Sequence, residues 1–222
     1  FALEAPLAAA QLARDVRADA GAAKAQLLVG FQQCADVEFV ADGFAQHGLV
    51  VALLLDRKAM QDFVYGRTGV ASANFINNPV RFNSPNTRAE FSIEKANAVL
   101  DAAGWKRGAD GIREKGGRKL KFVFQTSINP VRQKVQAVWK QACAKAGIDL
   151  ELKGVQAAVF FSSDVGNPDT ANKFWADLEM LGIAGRAPDP ILLMLRYVSG
   201  EIASKANKWQ GRNAARWANA EF

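Results

Sequence analysis

Cysteine and histidine are scarce in this sequence of 222 residues, which contains two cysteines and one histidine. The two cysteines, Cys34 and Cys143, allow at most one disulfide bond. Cysteine and histidine residues do not occur in the closely spaced pairs that a structural zinc site needs. The sequence therefore predicts a protein with no metal site, and no motif in it calls for a cofactor.

Arrangements that support catalysis are also missing from the sequence. The single histidine, His47, stands beside a glycine and an apolar run, a context that favours capping or packing. No serine lies in a nucleophile-elbow sequence, and residues 66–69 lack the lysine and hydroxyl of a phosphate loop. Carboxylates cluster between Asp164 and Glu179, but nothing predicts two of them facing each other across a cleft. We therefore expect a protein that is not an enzyme, and such a carboxylate pair would reverse that expectation.

Long apolar runs are absent, so the sequence predicts neither a transmembrane helix nor a signal peptide. The sequence begins at Phe1 rather than at a methionine. We interpret this as a mature or trimmed chain, and trimming is favoured. The length is sufficient to bury a substantial core in one domain or two.

Positive charge exceeds negative charge, with 28 lysines and arginines against 22 acidic residues and a formal net charge of +6. Between Lys106 and Lys121 the two signs are interleaved, as is typical of a solvated hairpin. The C-terminal segment 205–217 is more one-sided, because four basic residues alternate with two tryptophans there. Such a segment can stack on single-stranded nucleic acid. It can also lie on the protein surface with its tryptophans packed inward, which is the favoured alternative.

The clearest local signals of secondary structure lie between Phe91 and Val155. Ser92 is a good N-cap for a helix that Gly104 ends. Residues 120–124 alternate in polarity as a strand does, residues 131–146 are apolar at helical spacing up to Gly147, and residues 149–153 alternate again. This order predicts a β-α-β unit with parallel strands and a right-handed crossover.

Weaker signals lie on either side of this unit. We expect a helix over Glu4–Ala23, a strand over Gln26–Phe31, a helix over 56–65 and a further strand over Ala176–Leu181. The strand over Ala176–Leu181 should join the β-α-β unit in one sheet.

The wording of several segments resembles the family 5 extracellular solute-binding proteins, which are oligopeptide- and dipeptide-binding receptors of bacterial ABC importers. The resemblance is strongest in Glu94–Trp105 (EKANAVLDAAGW), Lys106–Leu120 and Phe124–Ile148. Shorter matches to the family follow these segments, in the same order, as far as Trp217. Others precede them, beginning at Asp56. Residues 1–48 match the family poorly, because the valine-arginine-glutamine triplet expected there falls on the sequence HGL at 47–49.

The resemblance implies an α/β fold, namely a periplasmic-binding-protein-like lobe with a mixed sheet flanked by helices. Residues 1–222 would form the C-terminal lobe of a two-lobed receptor, without the N-terminal lobe and the last helices. Such a receptor is a periplasmic monomer that captures a peptide or similar small molecule between its lobes and delivers it to an inner-membrane ABC permease. A receptor of this kind has no nucleic-acid partner. The alternative hypothesis is that the chain is a basic nucleic-acid-binding module that uses the segment 205–217.

Ligand contacts are expected in the loops that follow the strands, because open α/β sheets bind ligands beyond the carboxyl ends of their strands. The loop 125–132 offers four polar side chains, and the loop 156–163 offers two aromatic rings. The candidates are Gln125, Thr126, Ser127, Asn129, Phe160 and Phe161. The polar residues could equally cap the helix that begins at Pro130, and each ring could equally belong to the core. A lobe that shares its cleft should leave one of these rings more exposed than a core aromatic.

The loop 182–189 contains Arg186 where peptide-binding members of the resembled family carry a carboxylate that holds the α-ammonium of the peptide. A guanidinium repels an ammonium group and captures carboxylates or phosphates in a bidentate manner. The resemblance therefore implies that Arg186 meets an acidic or neutral group of the ligand. The alternative is a surface arginine bonded to nearby carbonyls.

Overall fold

The structure is a computed structural model that describes residues 24–31, 36–42, 45–76, 79–183 and 189–218. The helix expected over Glu4–Ala23 and the candidate Arg186 lie outside these residues. The nine strands are β1 (Lys24–Phe31), β2 (Asp36–Asp42), β3 (Ala71–Ser72), β4 (Lys106–Arg107), β5 (Arg113–Lys115), β6 (Arg118–Lys119), β7 (Lys121–Ser127), β8 (Asp149–Val155) and β9 (Leu178–Ile183) among the described residues.

The α-helices among the described residues are α1 (Ala45–Leu53), α2 (Arg57–Met60), α3 (Ile93–Ala102), α4 (Pro130–Lys145), α5 (Ala157–Phe160) and α6 (Ile191–Met194). A π-helical segment, Gln61–Tyr65, continues directly from α2. This pair of segments corresponds to the helix expected over 56–65. No helix in the described ranges is both long and apolar enough to cross a membrane.

The main sheet has six strands in the order β3-β1-β2-β9-β7-β8. Strands β1 and β2 pair antiparallel to their neighbours, whereas β7 lies parallel to both β8 and β9. The predicted parallel pairing of the β-α-β unit is therefore confirmed, and the sheet is mixed. Strands β4, β5 and β6 form a separate small antiparallel sheet.

Capping residues fix where the two longest helices described begin and end. The Ser92 hydroxyl accepts a hydrogen bond from the Lys95 N–H at 3.1 Å, which starts α3. The Asn129 side chain accepts from the Val131 and Arg132 N–H groups before α4. Helix α4 ends before Gly147, whose φ of +81° is a left-handed conformation that glycine adopts readily. These starts and stops follow the sequence signals closely.

The core lies between the parallel part of the sheet and α4. The Phe124 and Trp139 rings meet edge to face at 5.0 Å, and both side chains are fully buried. Cys143 lies in the same cluster as a free, buried thiol. Burial raises the pKa of Cys143 to about 12. A smaller cluster of Val155, Phe160 and Ala171 lies at the carboxyl end of β8.

Arg113 of β5 joins the small sheet to α3 and to the end of α4. Its side chain is almost fully buried and donates to the Ala146 and Trp105 carbonyls and to the Asn97 side chain at 2.6–2.8 Å. It also forms an ion pair with Asp101. Every edge of this guanidinium therefore meets an acceptor, as a buried charge requires.

Two expectations about chain segments are wrong. Strand β7 does not end at Phe124 but continues to Ser127, so residues 125–127 belong to the sheet and not to a loop. Strand β9 begins at Leu178 and not at Ala176. The extension of β7 is possible because its polar side chains find buried partners, which are described next.

Candidate functional site

A pocket of about 260 Å³ lies beside the carboxyl-terminal half of β9 and the segment that follows β8. We call it the strand-end pocket. Its lining includes Phe160, Phe161, Asn172, Glu179, Leu181 and Arg196. This is the edge at which ligands bind to open α/β sheets.

The two aromatic candidates differ sharply in exposure. Phe160 is fully buried in the small cluster with Val155, whereas Phe161 is 54% exposed. Their rings meet edge to face with centroids 4.9 Å apart. The buried ring of Phe160 thus supports its neighbour, and Phe161 is the ring with open surface beside the pocket, whose contact with a ligand stays a prediction. The sequence left both roles open for each ring.

Gln125 lies within β7 and is almost completely buried. Its amide nitrogen donates to the Glu179 carboxylate at 3.0 Å and to the Asp169 carbonyl at 3.3 Å. Gln125 therefore stands behind Glu179 and orients that carboxylate. Its contact with a ligand stays a prediction.

Glu179 is a residue of the pocket that the choice of loop residues missed. Its side chain is 1% exposed although it lines the pocket, and it comes from the sheet itself. The sequence did contain a signal for Glu179, namely a carboxylate between Leu178 and Met180 in an expected strand. A charged residue in such a strand needs a partner or a function. Glu179 was missed because only loop residues were considered as ligand contacts.

The other polar candidates on β7 have partners within the protein. The Thr126 hydroxyl donates to the Met180 carbonyl at 2.7 Å, and the Ser127 hydroxyl accepts from Arg132 at 2.8 Å. Asn129 caps α4, as described above. The structure thus gives these three side chains structural contacts, and a ligand role for them stays a prediction.

The C-terminal segment 205–217 lies against the rest of the chain. The Trp209 ring faces the Arg216 guanidinium at 5.3 Å and the Lys173 ammonium at 6.0 Å. The Trp217 ring meets Tyr197 edge to face at 5.7 Å. Because these rings already make contacts within the protein, the arrangement favours a surface segment with inward-packed tryptophans over a stacking platform for nucleic acid.

Metal-binding clusters of histidine, cysteine and acidic residues are not found among the residues that the structure describes. The pocket instead combines an aromatic face, a buried carboxylate and the guanidinium of Arg196. Such a lining is typical of pockets for organic molecules that have both apolar and polar groups.

Comparison with known proteins gives one family match and several structural matches. The sequence model described as "Bacterial extracellular solute-binding proteins, family 5 Middle" matches residues 51–205. The oligopeptide-binding protein AppA of Bacillus subtilis (strain 168) is 30% identical over 125 residues, which are 54% of this chain and 22% of that protein.

Two solved structures illustrate the shared fold. NikZ from Campylobacter jejuni, in complex with Ni(L-His), superposes with a TM-score of 0.69 at 16% identity over 95% of this chain and 41% of its own. An oligopeptide-binding protein from Thermus thermophilus, complexed with a pentapeptide, gives a TM-score of 0.68 at 20% identity over 93% of this chain and 37% of its own. The fold is thus the expected periplasmic-binding-protein-like α/β fold, and the chain spans less than half of each protein. Because the family match takes in most of its residues, the chain belongs to the bacterial extracellular solute-binding proteins of family 5.

Proposed function

We propose that this chain supplies one lobe, the C-terminal one, of a periplasmic receptor for an ABC importer. The receptor captures a peptide or similar solute and passes it to an inner-membrane permease, without catalysing a reaction. Membership of family 5 supports this role. Almost the whole chain superposes on 41% of the NikZ chain, which supports a role as one lobe of a longer receptor.

The observation that carries the proposal is the strand-end pocket with the exposed ring of Phe161 at its rim. A receptor that shares its cleft between two lobes leaves pocket residues open on each lobe. Phe161 is 54% exposed, although the neighbouring ring of Phe160 is completely buried. Closure of a second lobe over this surface would remove the bound solute from water.

The pocket also indicates which groups of a solute it would hold. The buried Glu179 carboxylate and the Arg196 guanidinium would bind polar or charged groups, while Phe161 and Leu181 would pack against apolar ones. A peptide carries both kinds of group. Arg186 lies outside the described residues, and its preference for an acidic or neutral group of the solute remains part of the proposal.

Isothermal titration calorimetry of the full-length receptor with a defined peptide library tests the proposal. Phe161→Ala should weaken the best peptide about tenfold or more, because an aromatic anchor of an interface contributes at least ~1.4 kcal/mol. Phe63→Ala is the matched control, since Phe63 is 72% exposed and does not line the pocket. Equal affinity of wild type and Phe161→Ala would place the solute site elsewhere.

A further inference from the structure

A second cavity, of about 510 Å³, lies away from the strand-end pocket and shares no lining residue with it. It is an open groove bounded by the start of α2, by β3 and by the segment 87–91, which belongs to no helix or strand. We call it the Arg57 groove, because Arg57 lines it and has the least exposed charge there.

Arg57 is only 9% exposed, and its Nε atom is buried without a hydrogen-bond partner. No side-chain hydrogen bond or ion pair of Arg57 occurs in the part of the chain that the structure describes. Arg113 shows the usual solution for a buried arginine, since two carbonyls, an amide and a carboxylate surround it. Burying a guanidinium without such acceptors is costly. Arg57 therefore has bonding capacity that the lobe itself leaves unused.

The other charges of the groove do not compensate Arg57. The Asp56 carboxylate accepts the Ala59 N–H at 2.8 Å, and Glu90 pairs with Lys95 at 2.6 Å. Lys58 is paired with Asp62. Arg88 adds a further, exposed guanidinium to the lining. The acidic side chains of the groove are thus already engaged by other groups, and the positive charges of Arg57 and Arg88 are left in excess.

Arg57 keeps its charge under physiological conditions. Burial lowers the pKa of Arg57 to about 10, which is still far above neutral pH. A guanidinium that is mostly buried attracts an anion more strongly than one that is fully surrounded by water.

We propose that the Arg57 groove binds a carboxylate, which Arg57 grips in a bidentate manner with Arg88 beside it. Guanidinium and carboxylate groups match in geometry, and the contact would give the guanidinium of Arg57 the acceptor that it lacks. The carboxylate can come from a small free acid or from an acidic side chain in the rest of the full-length receptor. Neither source depends on the strand-end pocket, so the proposal stands apart from the proposed function.

Thermal unfolding of this chain in sodium glutarate, compared with sodium chloride at equal ionic strength, tests for the site. Wild type should gain about 3 °C or more in Tm at saturating glutarate, because a ligand of the folded state stabilises it. Arg57→Met should lose this gain. Arg118→Met, which removes an exposed arginine outside the groove, should keep it.

The sign of the effect of Arg57→Met without added anion distinguishes the two sources. In this chain alone the substitution should raise Tm, because it removes an unpaired buried charge. If a free acid is the ligand, Tm also rises in the full-length receptor. If an acidic side chain of the receptor is the ligand, Tm falls there instead, and glutarate has no effect on the full-length wild type.

Two results would overturn the proposal. One is a glutarate gain that persists unchanged in Arg57→Met. The other is the absence of any gain for this chain together with a Tm of Arg57→Met that does not fall in the full-length receptor. Should Arg57→Met fold poorly, Arg57→Lys replaces it, since it keeps the charge but cannot form the bidentate contact and should lose most of the gain.

Discussion

Gly147 is a residue at which a side chain would meet both backbone strain and a steric clash. Its φ is +81°, and a Cβ placed there would lie 2.8 Å from Cγ of Arg113, a side chain that several hydrogen bonds hold in place. Gly111 has nearly the same φ, +80°, but a Cβ on it would meet nothing within 4 Å. Replacement of Gly111 by alanine therefore measures the cost of backbone strain alone. Replacement of Gly147 measures that cost together with the cost of the steric clash.

We predict that Gly147→Ala lowers the free energy of unfolding by about 3 kcal/mol and Gly111→Ala by about 1 kcal/mol. Both variants force alanine into a left-handed conformation, but only Gly147→Ala also displaces Arg113. Urea unfolding followed by tryptophan fluorescence measures both values. An equal loss in the two variants would show that Arg113 moves aside freely.

The contact between α3 and the small sheet is set by electrostatics as well as packing. The hydrogen bond from Arg113 lowers the pKa of Asp101 below its ordinary value of 3.8, with a smaller contribution from the charge of the same arginine. A carboxyl group with a lowered pKa stabilises the folded state above its unfolded pKa. That stabilisation is lost as the pH falls through the folded pKa.

Asp101→Asn should therefore be less stable than wild type at pH 7, because Arg113 loses its carboxylate partner. The difference should shrink as the pH falls from 3.8 through the lower pKa of the folded wild type, where Asp101 becomes protonated as well. Urea midpoints measured from pH 7 to pH 2.5 check this. A difference that stays constant over the whole range would mean that Asp101 acts only through its shape.

Sequence reasoning predicted α3, α4 and the parallel strands β7 and β8 because their signals are local. The caps Ser92 and Asn129 and the terminating Gly147 act within a few residues of the helix ends. The end of β7 was missed for the opposite reason. Gln125 and Thr126 read as loop residues, but their partners Glu179 and Met180 lie 54 residues away and become visible only in the folded sheet.

The position of the pocket agrees in part with the predicted loops, while a ligand role for its residues stays a prediction. The loop 156–163 does contribute Phe160 and Phe161 to a pocket at the strand ends. Which ring is exposed depends on Val155 and Ala171, and the contribution of Glu179 depends on the strand order. The position of β9 between β2 and β7 joins antiparallel and parallel halves of the sheet, and no local pattern determines such an order.

At the scale of the molecule, the largest buried apolar cluster among the described residues includes the parallel strands of the sheet and α4. Cys143 lies in that core, is not exposed to solvent, and has a pKa raised to about 12 by burial. A thiol reagent needs both access and a thiolate. At neutral pH the folded state offers neither, so modification of Cys143 should require the core to open.

We predict that Cys143 in a Cys34→Ser background reacts with an aromatic disulfide reagent at pH 7 only as fast as the whole chain unfolds. The reaction rate should then rise with urea in parallel with the fraction unfolded, measured by tryptophan fluorescence. The double variant Cys34→Ser/Cys143→Ser gives the background rate. Rapid reaction without urea would show that α4 separates from β7 and β8 on its own, in which case the core would not unfold as a single cooperative unit.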